Sequence, residues 1–207
     1  MKRCFFTLAL SLLAFGCRSS APEPRTSAPA PEAGWTDHRA GSVSISLPNE
    51  WTMIDLTRDD IERILAEVTQ KEPQMANLMQ MVKMAGDRVQ FKLVAMAPKA
   101  EGAPGASNVN VVQEKLPGSA SLEEVAAPTL QLLKQTQPGK EILSSEVAIA
   151  AGPAMRFEYD TPAAAPGAAR TITYLLVRGE AAYSVTFTVL SGETIPVDKM
   201  INSFRIH

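Results

Sequence analysis

Residues 152–190 read GPAMRFEYDTPAAAPGAARTITYLLVRGEAAYSVTFTVL. Three strand-like runs stand out: AMRFEYDT, RTITYLLVR and AAYSVTFTVL. The first two are separated by a longer loop, PAAAPGAA, and the last two by Arg178-Gly179-Glu180, which reads as a tight turn. A fourth run, EILSSEVAIA at 141–150, precedes them, and Gly152-Pro153 reads as the turn between. Consecutive strands joined by short turns pair antiparallel, because a parallel neighbour needs a crossover of about a dozen residues or more. The C-terminal half is therefore predicted to be a run of antiparallel strands, and the rest of the fold is arranged around it.

Upstream, Ser121-Leu122-Glu123-Glu124 fits a capping box, with a hydroxyl at the cap and an acid three residues on. It opens a helix with Val125, Leu130 and Leu133 on its inner face, closed by Pro138-Gly139. RVQFKLVAM (88–96) alternates Val89, Phe91, Leu93 and Ala95, and NVNVVQEKL (108–116) reads as its neighbour strand. Residues 57–86 form the clearest helical region. Thr57-Arg58-Asp59-Asp60 resembles a cap, and Ile61, Ile64, Leu65 and Val68 recur at helical spacing. Pro73 divides the segment, and Met75, Leu78, Met79 and Val82 make a second apolar face. In SVSISLP, Val43, Ile45 and Leu47 alternate with serines, the period of a half-buried strand. At the other end TIPVDKMINSF reads as a short helix and RIH as an end. Helices interspersed with antiparallel strands predict one α+β layered domain over 35–207, an antiparallel sheet flanked by helices.

The N-terminal part differs in composition. Lys2 and Arg3 precede a short apolar run, Phe5 to Phe15, too short to cross a hydrocarbon layer of about 30 Å as a helix. Residues 1–16 therefore read as an export signal. The chain holds two cysteines, Cys4 and Cys17, and the first leaves with the signal. Leu13-Ala14-Phe15-Gly16-Cys17 resembles the bacterial lipoprotein signal, in which a small residue precedes a cysteine. The resemblance implies that the Cys17 thiol receives diacylglycerol and becomes the first residue of the mature protein. The family favours Leu three before the cysteine and a small residue two before it, where this chain has Ala14 and Phe15. The alternative is a plain secretory signal carrying an incidental cysteine. Residues 17–34 continue as a Pro/Ala/Ser-rich linker with almost nothing to bury. Fully extended at about 3.1 Å per residue, it reaches roughly 50 Å. By the same resemblance, Arg18 after the cysteine, where inner-membrane lipoproteins often carry Asp, implies the outer membrane, facing the periplasm, in a host with two membranes.

GSVSISLPNEW, NVNVVQEKLPG, PAMRFEYDTP, AAYSVTFTV and the closing INSFRI resemble the Mog1/PsbP-like superfamily. That resemblance implies an α/β/α sandwich around an antiparallel sheet. It implies no shared catalytic residues, since known members mostly bind or stabilise other proteins.

Chemistry-bearing residues are sparse. The two histidines, His38 and His207, sit in no nucleophile motif, and the serines show no sequence partner. Asp59, Asp60 and Glu62 suit a helix N-terminus better than a metal. Met75, Met79, Met81 and Met84 carry soft thioethers that suit Cu(I), but their spacing is that of a helical core face. Glu158 and Asp160 share a strand face, read as solvent-facing. Asn108 and Asn110 read as surface polar positions, and Trp51 as core. No basic stripe points to nucleic acid. No cofactor, metal or catalytic residue is expected. The reading is a non-enzymatic, lipid-anchored envelope protein that binds a protein partner. The alternative is a carrier of a small apolar ligand or lipid in a groove formed by Met75, Met79 and Val82.

Overall fold

The computed structural model describes residues 33–54, 88–99, 101, 105–162 and 168–207. In chain order its strands are β1 (Trp35–Ala40), β2 (Val43–Pro48), β3 (Thr52–Met53), β4 (Val89–Met96), β5 (Asn108–Lys115), β6 (Leu143–Ile149), β7 (Gly152–Pro162), β8 (Ala168–Arg178), β9 (Ala181–Leu190) and β10 (Arg205–Ile206). Helix α1 (Leu122–Thr136) lies between β5 and β6, and α2 (Val197–Ser203) between β9 and β10. Residues 57–86 lie outside the described residues.

The strands build two sheets. The larger runs β3-β4-β5-β9-β8-β7-β6 and the smaller β1-β2-β10, with every pairing antiparallel. The predicted antiparallel run is therefore present as β6 to β9. Its last member continues into β5, which pairs from Asn108 opposite Thr188 to Lys115 opposite Ala181. Gly179 turns β8 into β9 at φ +60°, a left-handed conformation that a side chain disfavours. The β6–β7 turn falls on residues 150–151, one step before the predicted Gly152-Pro153. Gly152 already pairs with Ile149, and Pro153 with Ala148, inside β7. Proline is tolerated there because it stands at the start of a strand.

Alternation places two residue sets on opposite faces of the large sheet. Val109, Val111, Tyr174, Leu176, Val185 and Phe187 face the small sheet. They pack against Val43, Ile45 and Leu47 of β2, which are at most 1% exposed, as the serine-alternating pattern predicts. Met200, Ile201 and Phe204 close this core from the C-terminal end. Tyr174 and Phe187 meet edge to face, centroids 6.2 Å apart. Trp51 belongs to the same core. Trp35 lies against it, under the Lys199 ammonium at 4.1 Å from the ring centroid.

On the opposite face Leu116, Phe157, Leu175 and Ala182 form a smaller cluster with Ala126 of α1, which covers them further through Leu122, Val125, Leu130 and Leu133. The capping box is complete: the Glu124 amide donates to Ser121 Oγ at 3.2 Å, and the Ser121 amide to Glu124 Oε2 at 2.7 Å. Pro128 sits inside α1 without ending it. Glu124 and Pro128 are both exposed, so the Glu124 carbonyl, which the proline nitrogen cannot bond, is on the solvent side. The molecule is an α+β fold with an antiparallel sheet between α1 on one face and a second sheet with α2 on the other.

Candidate functional site

Strand β7 carries a graded face. Ala154 is fully buried, Arg156 and Glu158 are partly buried, and Asp160 is exposed. All four alternate with Phe157 of the α1 cluster, so they point toward the small-sheet side. Register places Tyr174 opposite Arg156 and Arg170 opposite Asp160. Glu158 pairs with both guanidiniums, Oε2 with Arg156 and Oε1 with Arg170. Side-chain exposure rises from 13% at Glu158 through 24% at Arg156 to 53% at Arg170. The acid of the trio is thus the least solvated member, and both its oxygens carry a cation. Glu158 does not face open solvent, as the sequence reading has it. Its strand face runs from core to rim, and the charges sit where it emerges.

Tyr174 joins the cluster through a hydrogen bond with Arg156. Burial pushes the Tyr174 hydroxyl above its ordinary pKa, and the Arg156 guanidinium partly offsets this. For Arg156, burial pulls down, but Tyr174 and Glu158 outweigh it and the net direction is upward. The phenol therefore stays protonated and the guanidinium charged. Tyr174 is therefore not poised as a free base at neutral pH.

One strand outward lies β6. Leu143 is opposite Glu158, Ser145 opposite Arg156, and Val147 opposite Ala154. These residues share the charged face, while Ser144 and Glu146 point to the other. Strand β6 ends the sheet, so among the described residues no strand pairs with its outer edge. Residues 143–146 are all exposed, and Leu143 reaches 53%. Val147 and Ile149 pack on the main core and hold the strand in place. The arrangement is a firmly seated seven-residue edge, whose outer backbone row meets no strand among the described residues, with a charge cluster one strand in.

Other candidates are dispersed. Cys17, Met75, Met79 and Val82 lie outside the described residues, as do Asp59, Asp60 and Glu62. Asn108 and Asn110 are half-buried on β5, opposite Thr188 and Thr186. Ser44 Oγ and His207 Nε2 lie 2.9 Å apart, so one serine does have a histidine neighbour. That pair is exposed, and Asp37 of the same small sheet bonds Ser46 instead. Among the described residues no acid bonds the His207 ring to orient it, as a nucleophilic dyad needs. Among the described residues no three His, Cys, Asp or Glu converge on a metal-sized space. No described helix is long and apolar enough to cross a membrane.

The Arg156–Glu158–Arg170 cluster is not evident from sequence because its third member is brought alongside by the β7–β8 register. The usable signal is the opposite charge at Arg156 and Glu158, two apart on one strand, with Arg170 on the next strand in sequence. The β6 edge is visible in EILSSEVAIA only once the strand order is known.

No family model matches the sequence, and no curated protein matches it. Among solved structures, the chain is similar to a protein from Bacteroides thetaiotaomicron VPI-5482, at 14% identity and TM-score 0.46 over 80% of this chain. The match spans 45% of that longer protein. It is also similar to cyanobacterial PsbP (CyanoP) from Synechocystis sp. PCC 6803, at 12% identity and TM-score 0.46, over 90% of this chain and all of that one.

Proposed function

We propose that this chain is a lipid-anchored protein of the bacterial cell envelope that binds another protein and catalyses no reaction. The observation that carries the binding half is the open β6 edge, exposed over residues 143–146 and backed by the core through Val147 and Ile149. The double occupation of Glu158 by arginines supports the non-enzymatic half. The anchoring half rests on Leu13 to Cys17 and on the linker that follows. A single acyl chain binds membranes only marginally, so diacyl attachment at Cys17 is what makes a stable anchor. In a host with two membranes the protein sits on the outer membrane and faces the periplasm.

In-cell crosslinking of the tagged full chain, read by mass spectrometry, tests location and partner together. One reproducible envelope protein is expected. Cys17→Ser should move the protein from the membrane to the soluble fraction and change its mature mass. Unchanged membrane association and mass would sink the anchor. Co-purification of a stoichiometric apolar ligand, without a crosslinked protein, would favour the carrier with its groove at Met75, Met79 and Val82.

A further inference from the structure

We propose that β6 receives an extended segment of the partner protein as an eighth strand of the large sheet. This deepens the protein-binding reading and rests on it. The chemistry of the edge selects the guest. Alternate residues of an edge strand turn their amide and carbonyl outward, and only another extended backbone satisfies such a row in register. Strand β6 is seven residues long, or about 23 Å at roughly 3.3 Å per residue, so a guest of similar length fills it.

Side chains then specify the guest. On the charged face its residues lie beside Leu143, Ser145 and Val147, which favours apolar side chains at alternate positions. On the other face they lie beside Ser144 and Glu146. Both are exposed, and the glutamate is the one charge along the strand. A lysine or arginine beside Glu146 completes the match. The occupant is thus an alternating apolar/polar segment with one basic residue near its middle. A second copy of this chain fits worse. Full antiparallel overlap of two β6 strands places Glu146 directly opposite Glu146, where like charges repel.

The test uses the full chain and a synthetic nine-residue peptide, Thr-Val-Thr-Val-Lys-Val-Thr-Val-Thr. Hydrogen exchange of the protein, followed by mass spectrometry, reads protection along β6. The peptide is expected to slow exchange at residues 143–149. Replacing its lysine by glutamate should weaken binding about tenfold, and Glu146→Lys in the protein should reverse that preference. N-methylation of alternate peptide amides should abolish protection for one of the two methylation registers and spare the other. This control leaves the protein untouched, so misfolding cannot mimic it. Equal binding by both N-methylated peptides, or protection confined to other strands, overturns the proposal. A dimer in sedimentation that protects β6 without peptide overturns the foreign-segment occupant in favour of a second copy. A photo-crosslinker at Leu143 separates this idea from the parent reading. If the partner is captured only from other surfaces, β6 is wrong and protein binding stands. If no position captures a protein, both fall.

Discussion

The two faces of the large sheet are covered by different materials. On one side a second sheet and α2 contribute Val43, Ile45, Leu47, Met200, Ile201 and Phe204, residues drawn from both ends of the domain. On the other side, among the described residues, α1 brings its own Ala126 onto four buried residues, Leu116, Phe157, Leu175 and Ala182. The first cover depends on long-range pairing: β10 joins β2 only after the chain has built everything between them. The second depends on local devices, a capping box and an amphipathic helix lying between β5 and β6 in sequence. A break on the first face should therefore damage the whole domain, whereas a break on the second should loosen one helix.

Phe204→Ala should cost about 4 kcal/mol, since a fully buried ring leaves a cavity where the C-terminal end meets the core. Leu175→Ala under α1 should cost about 2–3 kcal/mol, as exposed helix ends allow the site to relax. Urea denaturation of both variants decides the matter. Equal losses would mean that the helix-covered cluster is as integral as the sandwich core.

At the rim of the first face, Glu158→Gln leaves two guanidiniums sharing one neutral partner. The expected loss is about 1–2 kcal/mol, less than for a fully buried pair because Arg170 is half exposed. Adding Arg170→Met should recover part of it. Failure to recover would show that the cluster acts through packing and not through charge.

Ser121→Ala should cost about 1 kcal/mol and speed hydrogen exchange only in the first turn of α1. Faster exchange in β2 as well would contradict the independence of the two covers.

The smallest effect is in acid. The Ser121 amide holds the Glu124 carboxylate below its ordinary pKa. Its contribution is complete above the usual carboxylate range and is lost as pH falls through the lowered value. Burial likewise lowers His38, against the opposing pull of Asp37, so the neutral ring is the native form. That contribution begins to fade earlier, as pH drops from the ordinary imidazole range toward the lowered one. Denaturation midpoints across pH for wild type, Glu124→Gln and His38→Gln should separate the two windows.

Much of the local order was legible in the sequence. The serine-spaced Val43, Ile45 and Leu47, the Ser121–Glu124 box, the strand run of β6 to β9 and the short α2 all follow from periodicity and caps. What remained hidden was long-range. Strand β10 is two residues, too short for any period, and it exists because β2 presents Val43 and Ser44 to it. The β5–β9 pairing joins strands separated by α1 and three other strands, and no local pattern encodes that. Glu158 misled because alternation identifies a shared face without saying which side is buried at a given point along the strand. The site at β6 is likewise a property of strand order.

The Trp35–Lys199 stack has a mechanical consequence. Tension arriving from the N-terminal side enters at Trp35, the open end of the β1–β2 hairpin, where bonds would load one after another as in a zipper. The Asn49 amide on the Gly34 carbonyl at 3.0 Å takes the load first, and the stack shares it together with Thr36 on Asn49 at 2.7 Å. Because Lys199 belongs to α2, whose Met200 and Ile201 are seated in the core, a pull from the N-terminal side is shared with that helix before β1 can peel.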